Sequence, residues 1–524
     1  MNNPLYNIRN QVAAFIKMIC CFFLVNGSQS VVAQPLQNIA QLFPHNGAAN
    51  VNSDTYFQLT FKALPLLSNK GKIRIYDASN DSLVDELDMA ISPGPKNTRT
   101  LAPYDNFLYN YLPDSVYTAN KPDLDTTHLY QINYIGGTGP VDAYHFYPVL
   151  IDGHTVKIYP HNNKLSCNKA YYILIDSGVF SIGNGQPFKI KDKHEWQFRT
   201  KEALPAKDAK NITVSVDGSG DFTTVQGAVD FIHEDNSSPV TIFIKNGIYD
   251  EIINCRGRNK LSFIGEDRNK VIIRYANNGV FNTRQMSPDP KLNKGSHSIR
   301  PVMSVYDASE ITIASLTIQS VGEKPAQAEA LLIIGDKIIV DNVSIEGSGD
   351  ALQATGRIYM NQSKIQGFGD NVLGYGAVFF NQCEFVSTYG PHLWVRNTDK
   401  NHGNVLLNCT LRTVGDVETD IARAPDNHGI KYPFVEAVLI NCKVEGLRPS
   451  GWGKVTDSTK NIRYWEYNTT NLQTGKPVDV SQRNPASRQL TMPKDAELIK
   501  EYSTPSFVLD GWEPTNVIVR NSRE

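Results

Sequence analysis

Five segments in the second half of the chain repeat one pattern: IIVDNVSI (338–345), IYMNQSKI (358–365), VFFNQCEF (378–385), VLLNCTL (405–411) and VLINCKV (438–444). Each sets an apolar pair shortly before an asparagine, then a small or polar residue and a closing apolar one. The asparagines fall at 342, 361, 381, 408 and 441, with spacings of 19, 20, 27 and 33 residues. A β-unit recurring every ~20 residues, with insertions on some turns, marks a solenoid, because one such unit cannot bury its apolar face alone. No helical period lies between the units. The repeat therefore predicts an all-β fold, a right-handed parallel β-helix. Asparagines at matching positions predict a ladder that satisfies buried polar groups.

Within this repeat the chain writes Gly-x-Gly-Asp twice, at Gly347–Asp350 and Gly367–Asp370. The aspartates are 20 residues apart, one coil of the solenoid. Adjacent strands are ~4.8 Å apart, so the two carboxylates are expected side by side on one face. Two close carboxylates do not both ionise cheaply: one is expected to hold a proton while the other stays charged. That division suits a nucleophile beside a general acid. The glycines are expected to allow a sharp turn and leave room for a bulky substrate. The same letters at Gly218–Asp221 have no partner one coil away and read as a turn.

The 51 Lys+Arg against 53 Asp+Glu leave no basic field to attract nucleic acid. At the N-terminus, Arg9 and Lys17 precede the apolar run MICCFFLV (18–25), followed by Val31-Val32-Ala33. This reads as a signal peptide over 1–33, with the mature protein periplasmic or extracellular. The apolar run is too short to span ~30 Å of hydrocarbon, so no membrane span is expected in the mature chain. Cleavage leaves Cys167, Cys255, Cys383, Cys409 and Cys442, an odd number without clustered metal-ligand spacing. Neither a disulfide framework nor a structural zinc site follows. The cysteines in the repeat read as small core residues.

Residues 39–200 alternate apolar and polar residues in short runs such as YFQLTF (56–61), KIRIYD (72–77) and AYYILI (170–175), separated by turn clusters. This is the pattern of an antiparallel β-sandwich. FPHNGAANVNSDTYFQLTF and HEWQFRT resemble bacterial immunoglobulin-like modules. Residues 201–211 read as a linker, and the β-helix is expected over 212–524. A spacer, docking or carbohydrate-binding role stays open for the first module.

From residue 211 to about 515 the ordered motifs VDGSGDFTTVQGAVDFI, GIYDE, PAQAEALLIIGDK, GDALQATGRIYM, GFGDNVLGYGAVFFNQCEF and WEYNTT resemble the pectin methylesterases (pectinesterases). The resemblance implies hydrolysis of methyl esters of galacturonate units in pectin, with release of methanol. It implies Asp370 as nucleophile, Asp350 as general acid/base and Gln327 as oxyanion donor. Arg423 is implied as the arginine that orients the nucleophile, with Arg396 and Arg448 as runners-up. No metal or cofactor is implied. The partner is a pectic polysaccharide, and a monomer is expected. Three departures stand out. Gly349 replaces the glutamine usual before the acid/base, Ala424-Pro425 replaces the usual Pro-Trp after the arginine, and Asn371-Val372 replaces Phe-Ile. Trp394, Tyr375 or Trp452 is expected to supply the missing stacking surface, on a complex or branched pectin. The alternatives are a β-helix glycoside hydrolase, a pectate lyase, or a non-catalytic polysaccharide-binding protein.

Overall fold

The computed structural model describes residues 38–94, 130–137, 141–183, 185–234, 236–279, 281–282, 299–321, 328–427, 429–455 and 460–514. The expected signal peptide and Gln327 lie outside these residues. From Asn211 the chain winds into a right-handed parallel β-helix. Among the described residues its three sheets hold eleven, nine and six strands. The first runs from Asn211–Val214 to Ser487–Gln489, the second from Gly247–Asp250 to Thr470–Asn471, and the third from Ile253–Arg256 to Leu393–Val395.

Alternation along each strand sends every second side chain inward, and parallel register stacks equivalents from coil to coil. In the first sheet Val340, Met360, Phe380, Leu406 and Leu439 are successive partners. In the second, Ile345, Ile365, Phe385, Leu411 and Val444 are. All of them are buried. Each such side chain contributes ~1.5–3 kcal/mol only when a neighbouring coil covers it, which is why the repeat must stack.

The asparagine repeat resolves into two adjacent columns rather than one. Asn361 and Asn381 close strands, in register with Asp341. Asn342, Asn408 and Asn441 occupy the next position, shared with Gln362, Gln382 and Asn468, where the chain turns into the second sheet. All six turn residues have φ between 47° and 55°. Among non-glycine residues asparagine visits this left-handed region most cheaply. Ladder bonds are present: Asn361 Nδ2 donates to Asp341 Oδ1 (2.8 Å), Asn381 Nδ2 to Asn361 Oδ1 (2.9 Å) and Asn468 Nδ2 to Asn441 Oδ1 (2.9 Å). These asparagines are half-buried or exposed, so the ladder clamps a turn near the surface, and at its start it serves the buried Asp341 carboxylate. One residue further on, Cys383, Cys409 and Cys442 are buried with free thiols, as small core residues.

The first half forms a β-sandwich. A four-stranded sheet, Ile39–Phe43, Phe57–Phe61, Thr155–Ile158 and Val149–Asp152, faces a larger one built around the long strand Ala170–Ile182. They share one core that includes Phe57, Leu59, Ile73, Ile173 and Trp196. The hairpin Ile132–Ile135/Asp142–His145 belongs to neither sheet. Its Ile135 and Tyr144 join the core of the β-helix instead. Arg256 Nη1 donates to Asp142 Oδ1 (2.9 Å) and Lys157 Nζ to Asp250 Oδ2 (2.7 Å), further tying the two halves. At the other end the helices Ala496–Tyr502 and Pro505–Val508 cover the outer face of the first sheet, over Tyr359, Phe379, Val405 and Val438. Among the described residues no helix is long and apolar enough to cross a membrane.

Candidate active site

The third sheet sets the site. Its strands Leu331–Asp336, Leu352–Thr355, Val372–Gly374 and Leu393–Val395 stack with Leu331, Leu352, Val372 and Leu393 in register. Two residues before the first three of these stand Glu329, Asp350 and Asp370. Three consecutive coils thus present a carboxylate at the same point, just before the strand begins. The glycines make this stacking possible. A Cβ on Gly347 would collide with the Asp350 carbonyl, and one on Gly369 (φ 153°) would lie 2.6 Å from Gly390 Cα. Gly347 gives room to the backbone of its own turn and Gly369 to the backbone of the following coil, so the expected sharp turn is present. Asp370 itself takes the left-handed conformation, φ 46°.

An arginine closes each end of the acid column. Arg423 Nη1 donates to Asp370 Oδ2 at 2.8 Å, while Asp370 Oδ1 is buried with no hydrogen-bond partner among the described residues. At the other end Arg300 donates to both oxygens of Glu329, from Nε at 2.5 Å and from Nη2, and Nη2 lies 3.6 Å from Asp350 Oδ2. Arg396 stacks on Trp394 (4.3 Å) and Tyr375 (4.9 Å) and makes no ion pair among the described residues. Arg423 lies over the same Trp394 ring, at 4.2 Å. Arg448 lies elsewhere, paired with Asp420 at 2.9 Å. Of the three candidate arginines, the structure brings Arg423 to the nucleophile position and Arg396 beside it.

The electrostatics separate the acids from ordinary surface carboxylates. Burial, then the charge of Glu329, push Asp350 up to about 8, with Arg300 opposing and Asp370 adding to the rise. Burial also raises Asp370, and the charge and hydrogen bond of Arg423, with the charge of Arg396, pull it partly back. Behind them the core is closed. Asn371 and His392 are fully buried, and burial pushes His392 down to about 3, so it remains neutral. The column can therefore offer one protonated carboxyl beside one carboxylate held by a guanidinium.

The aromatic expectations divide. Tyr375 is 44% exposed beside Arg396. Trp394 is largely covered and forms the floor under two guanidinium groups. Trp452 is 1% exposed, stacked on Tyr464 (4.6 Å, 11°), with Nε1 donating to buried Glu466, so it offers no face to a sugar. Sequence reasoning missed an aromatic pair: half-buried Phe368, two residues before Asp370, stacks on exposed Tyr389 of the following coil at 4.7 Å and 7°. It also missed Arg300 and Glu329. Glu329 had a signal, a lone acid in the apolar run AEALLII, immediately before a strand.

The pectinesterase family model matches residues 211–511. The chain is 30% identical over 353 residues to Pectinesterase QRT1 of Arabidopsis thaliana, covering 63% of this chain and 87% of that protein. It is 25% identical over 207 residues to a pectinesterase of Petunia integrifolia, covering 38% of this chain and half of that protein. Among solved structures it is similar to the pectin methylesterase from carrot, with 20% identity, 58% of this chain and 95% of that chain covered, and a TM-score of 0.48. It is also similar to pectin methylesterase PemA from Erwinia chrysanthemi, with 22% identity, 60% and 100% covered, and a TM-score of 0.44. With the family model spanning the whole β-helix and a relative matched over most of its length, the chain belongs to the pectinesterase family.

Proposed function

We propose that the chain hydrolyses methyl esters of galacturonate units in pectin, with Asp370 as nucleophile and Asp350 as general acid/base. The observation that carries this reading is the asymmetric bonding of Asp370. Arg423 holds Oδ2 and leaves Oδ1 buried and unbonded, so a lone pair is available to a carbonyl carbon. Attack by Oδ1 forms a tetrahedral intermediate. As it collapses, the C–OCH3 bond breaks and the proton of Asp350 leaves with the methoxy oxygen as methanol. Asp350, now a carboxylate, takes a proton from water. The hydroxide oxygen attacks the acyl carbon, and Asp370 departs as a carboxylate. Gln327 is assigned the oxyanion by its QAEAL motif alone; such a donor is typically worth ~3–4 kcal/mol.

Exposed Tyr389, stacked on half-buried Phe368, and exposed Tyr375 give a pyranose chain apolar surface to lie on near the acids. The departures at Gly349, Ala424-Pro425 and Asn371-Val372 favour a complex or branched pectin over plain homogalacturonan. Methanol release from a panel of methyl-esterified pectins, wild type against Asp370→Asn, tests the reading. Methanol should appear without loss of polymer length, and Asp370→Asn should fall at least ~10³-fold. Chain shortening without methanol would favour a glycosidase or lyase. Equal turnover of linear homogalacturonan would remove the branched-substrate assignment.

A further inference from the structure

We propose that Arg300, anchored by Glu329, is a positioning residue for Asp350, and that this pair sets when Asp350 releases and regains its proton. The inference rests on the ester-hydrolase reading above, in which Asp350 is the acid/base.

Glu329 is 0% exposed and sits one coil before Asp350 in the same column. A buried carboxylate is expensive unless paired, and a buried ion pair is often no more stabilising than an apolar pair of the same volume. Its presence in the column therefore needs a reason other than stability. The geometry supplies one. Arg300 spends Nε and Nη2 on Glu329, and this fixes the guanidinium plane with Nη2 turned towards Asp350 Oδ2. The backbone locks the same three coils: Val302 N donates to Glu329 O (3.2 Å), and Ala330 N to Ala351 O (3.0 Å).

The chemistry asks opposite things of Asp350 in its two half-reactions. It must hold a proton until methoxide leaves, then exist as an anion long enough to draw a proton from water. Glu329, one strand spacing away, favours the protonated form, and Arg300 favours the anion. Asp370 and Arg396, the other charged groups acting on Asp350, repeat that opposition from the following coils. With Glu329 and Arg300 bound to each other, both charges stay fixed while the proton moves, so the site need not reorganise between steps.

The test is the pH dependence of kcat/KM for methanol release in the full chain, whose alkaline limb reports loss of the Asp350 proton. Glu329→Gln removes the anion and leaves Arg300, so the limb should move down by roughly one pH unit. Arg300→Gln leaves the anion, so the limb should move up. The Arg300→Gln/Glu329→Gln double variant should return the limb to within about half a unit of wild type with kcat still lowered, roughly tenfold, because the fixed donor is gone. Shifts of opposite sign support the inference; limbs that stay put, or move together, overturn it. If a single variant does not fold, the double variant decides, and wild-type kcat there overturns the inference. The underlying reading fails separately, if wild type releases no methanol or Asp370→Asn keeps full activity.

Discussion

Glu436, fully buried, and Asp370, half-buried, are acids of one β-helix, each bonded to an arginine, yet they are treated in opposite ways. Glu436 is saturated. Its Oε1 meets His402 Nδ1 (2.8 Å) and the Gly403 amide (3.2 Å), and its Oε2 accepts from Arg463 (2.5 Å) and Tyr502 (2.9 Å). Burial pushes its carboxyl up, but His402 and Arg463 outweigh that and hold it below the ordinary value. Asp370 has one arginine, one empty oxygen and a carboxyl held above the ordinary value. Where an acid fixes structure, every lone pair is occupied. Where it is assigned chemistry, one is withheld, and the fold carries the cost of an unsatisfied buried atom.

The comparison breaks most sharply at Glu436. Glu436→Gln removes the charge and replaces one of the two acceptor oxygens that join Arg463 and His402 to Tyr502, at the end of the helix Ala496–Tyr502, with an NH2 that faces donors. Loss of one partner from such a buried cluster should cost on the order of 3 kcal/mol. Chemical denaturation measures this, while kcat per folded molecule should stay near wild type. A large loss of kcat at unchanged stability would show that Glu436 is not a structural acid.

Glu436 and Asp350, the neighbour of Asp370 in the acid column, predict opposite pH dependences. The depressed carboxyl of Glu436 contributes stability that is present above its unfolded value of 4.5 and lost as pH falls through its folded value. Asp350 works in reverse. Its folded carboxyl keeps a proton up to about 8, whereas the unfolded one gives it up near 3.8. Across that window the native state binds more protons, so wild-type stability declines as pH rises. Asp350→Asn lacks this loss. The variant should be inactive yet more heat-stable than wild type, by about one to two degrees in Tm for ~1 kcal/mol in a unit of this size, with the gain growing from pH 4 to 8. Scanning calorimetry across that range checks it. A gain that shrinks with pH would reverse the sign assigned to the site.

Much of this was legible before any coordinates. The ~20-residue period fixes the coil, and the coil puts Asp350 and Asp370 in register, because a parallel solenoid converts sequence spacing directly into position. What escaped has a physical reason in each case. The asparagine repeat mixes two neighbouring columns because Asn361-Gln362 and Asn381-Gln382 offer two adjacent amides, and the letters do not say which adopts the left-handed turn. Glu329 escaped because its coil reaches the same point through Ala328, without the Gly-x-Gly-Asp spelling that flagged its neighbours. Trp452 and Tyr375 look alike as aromatic residues near the site. Only the packing of Tyr464 against one of them shows that it faces inward.

The smallest expected effect concerns two aromatic stacks that differ in geometry by almost nothing. Trp452 on Tyr464 and Phe368 on Tyr389 have centroids 4.6 and 4.7 Å apart and planes within 11° and 7°. The first pair is buried, whereas Tyr389 is 59% exposed on the coil following Asp370. An apolar ring left in water beside the nucleophile position adds little to folding, so Tyr389→Ala should change stability by no more than ~0.5 kcal/mol. If the ring instead carries the face of a bound sugar, the loss should fall on binding, with KM rising about three- to tenfold, as for ~0.5–1.5 kcal/mol of stacking. Because the ring touches the chain equally before and during reaction, kcat should stay within about twofold. Steady-state kinetics on a long methyl-esterified pectin separates the outcomes. A fall in kcat at constant KM would mean that the ring acts on the reacting ester, and the exposed stack would then belong with the acids rather than with the surface that holds the polymer.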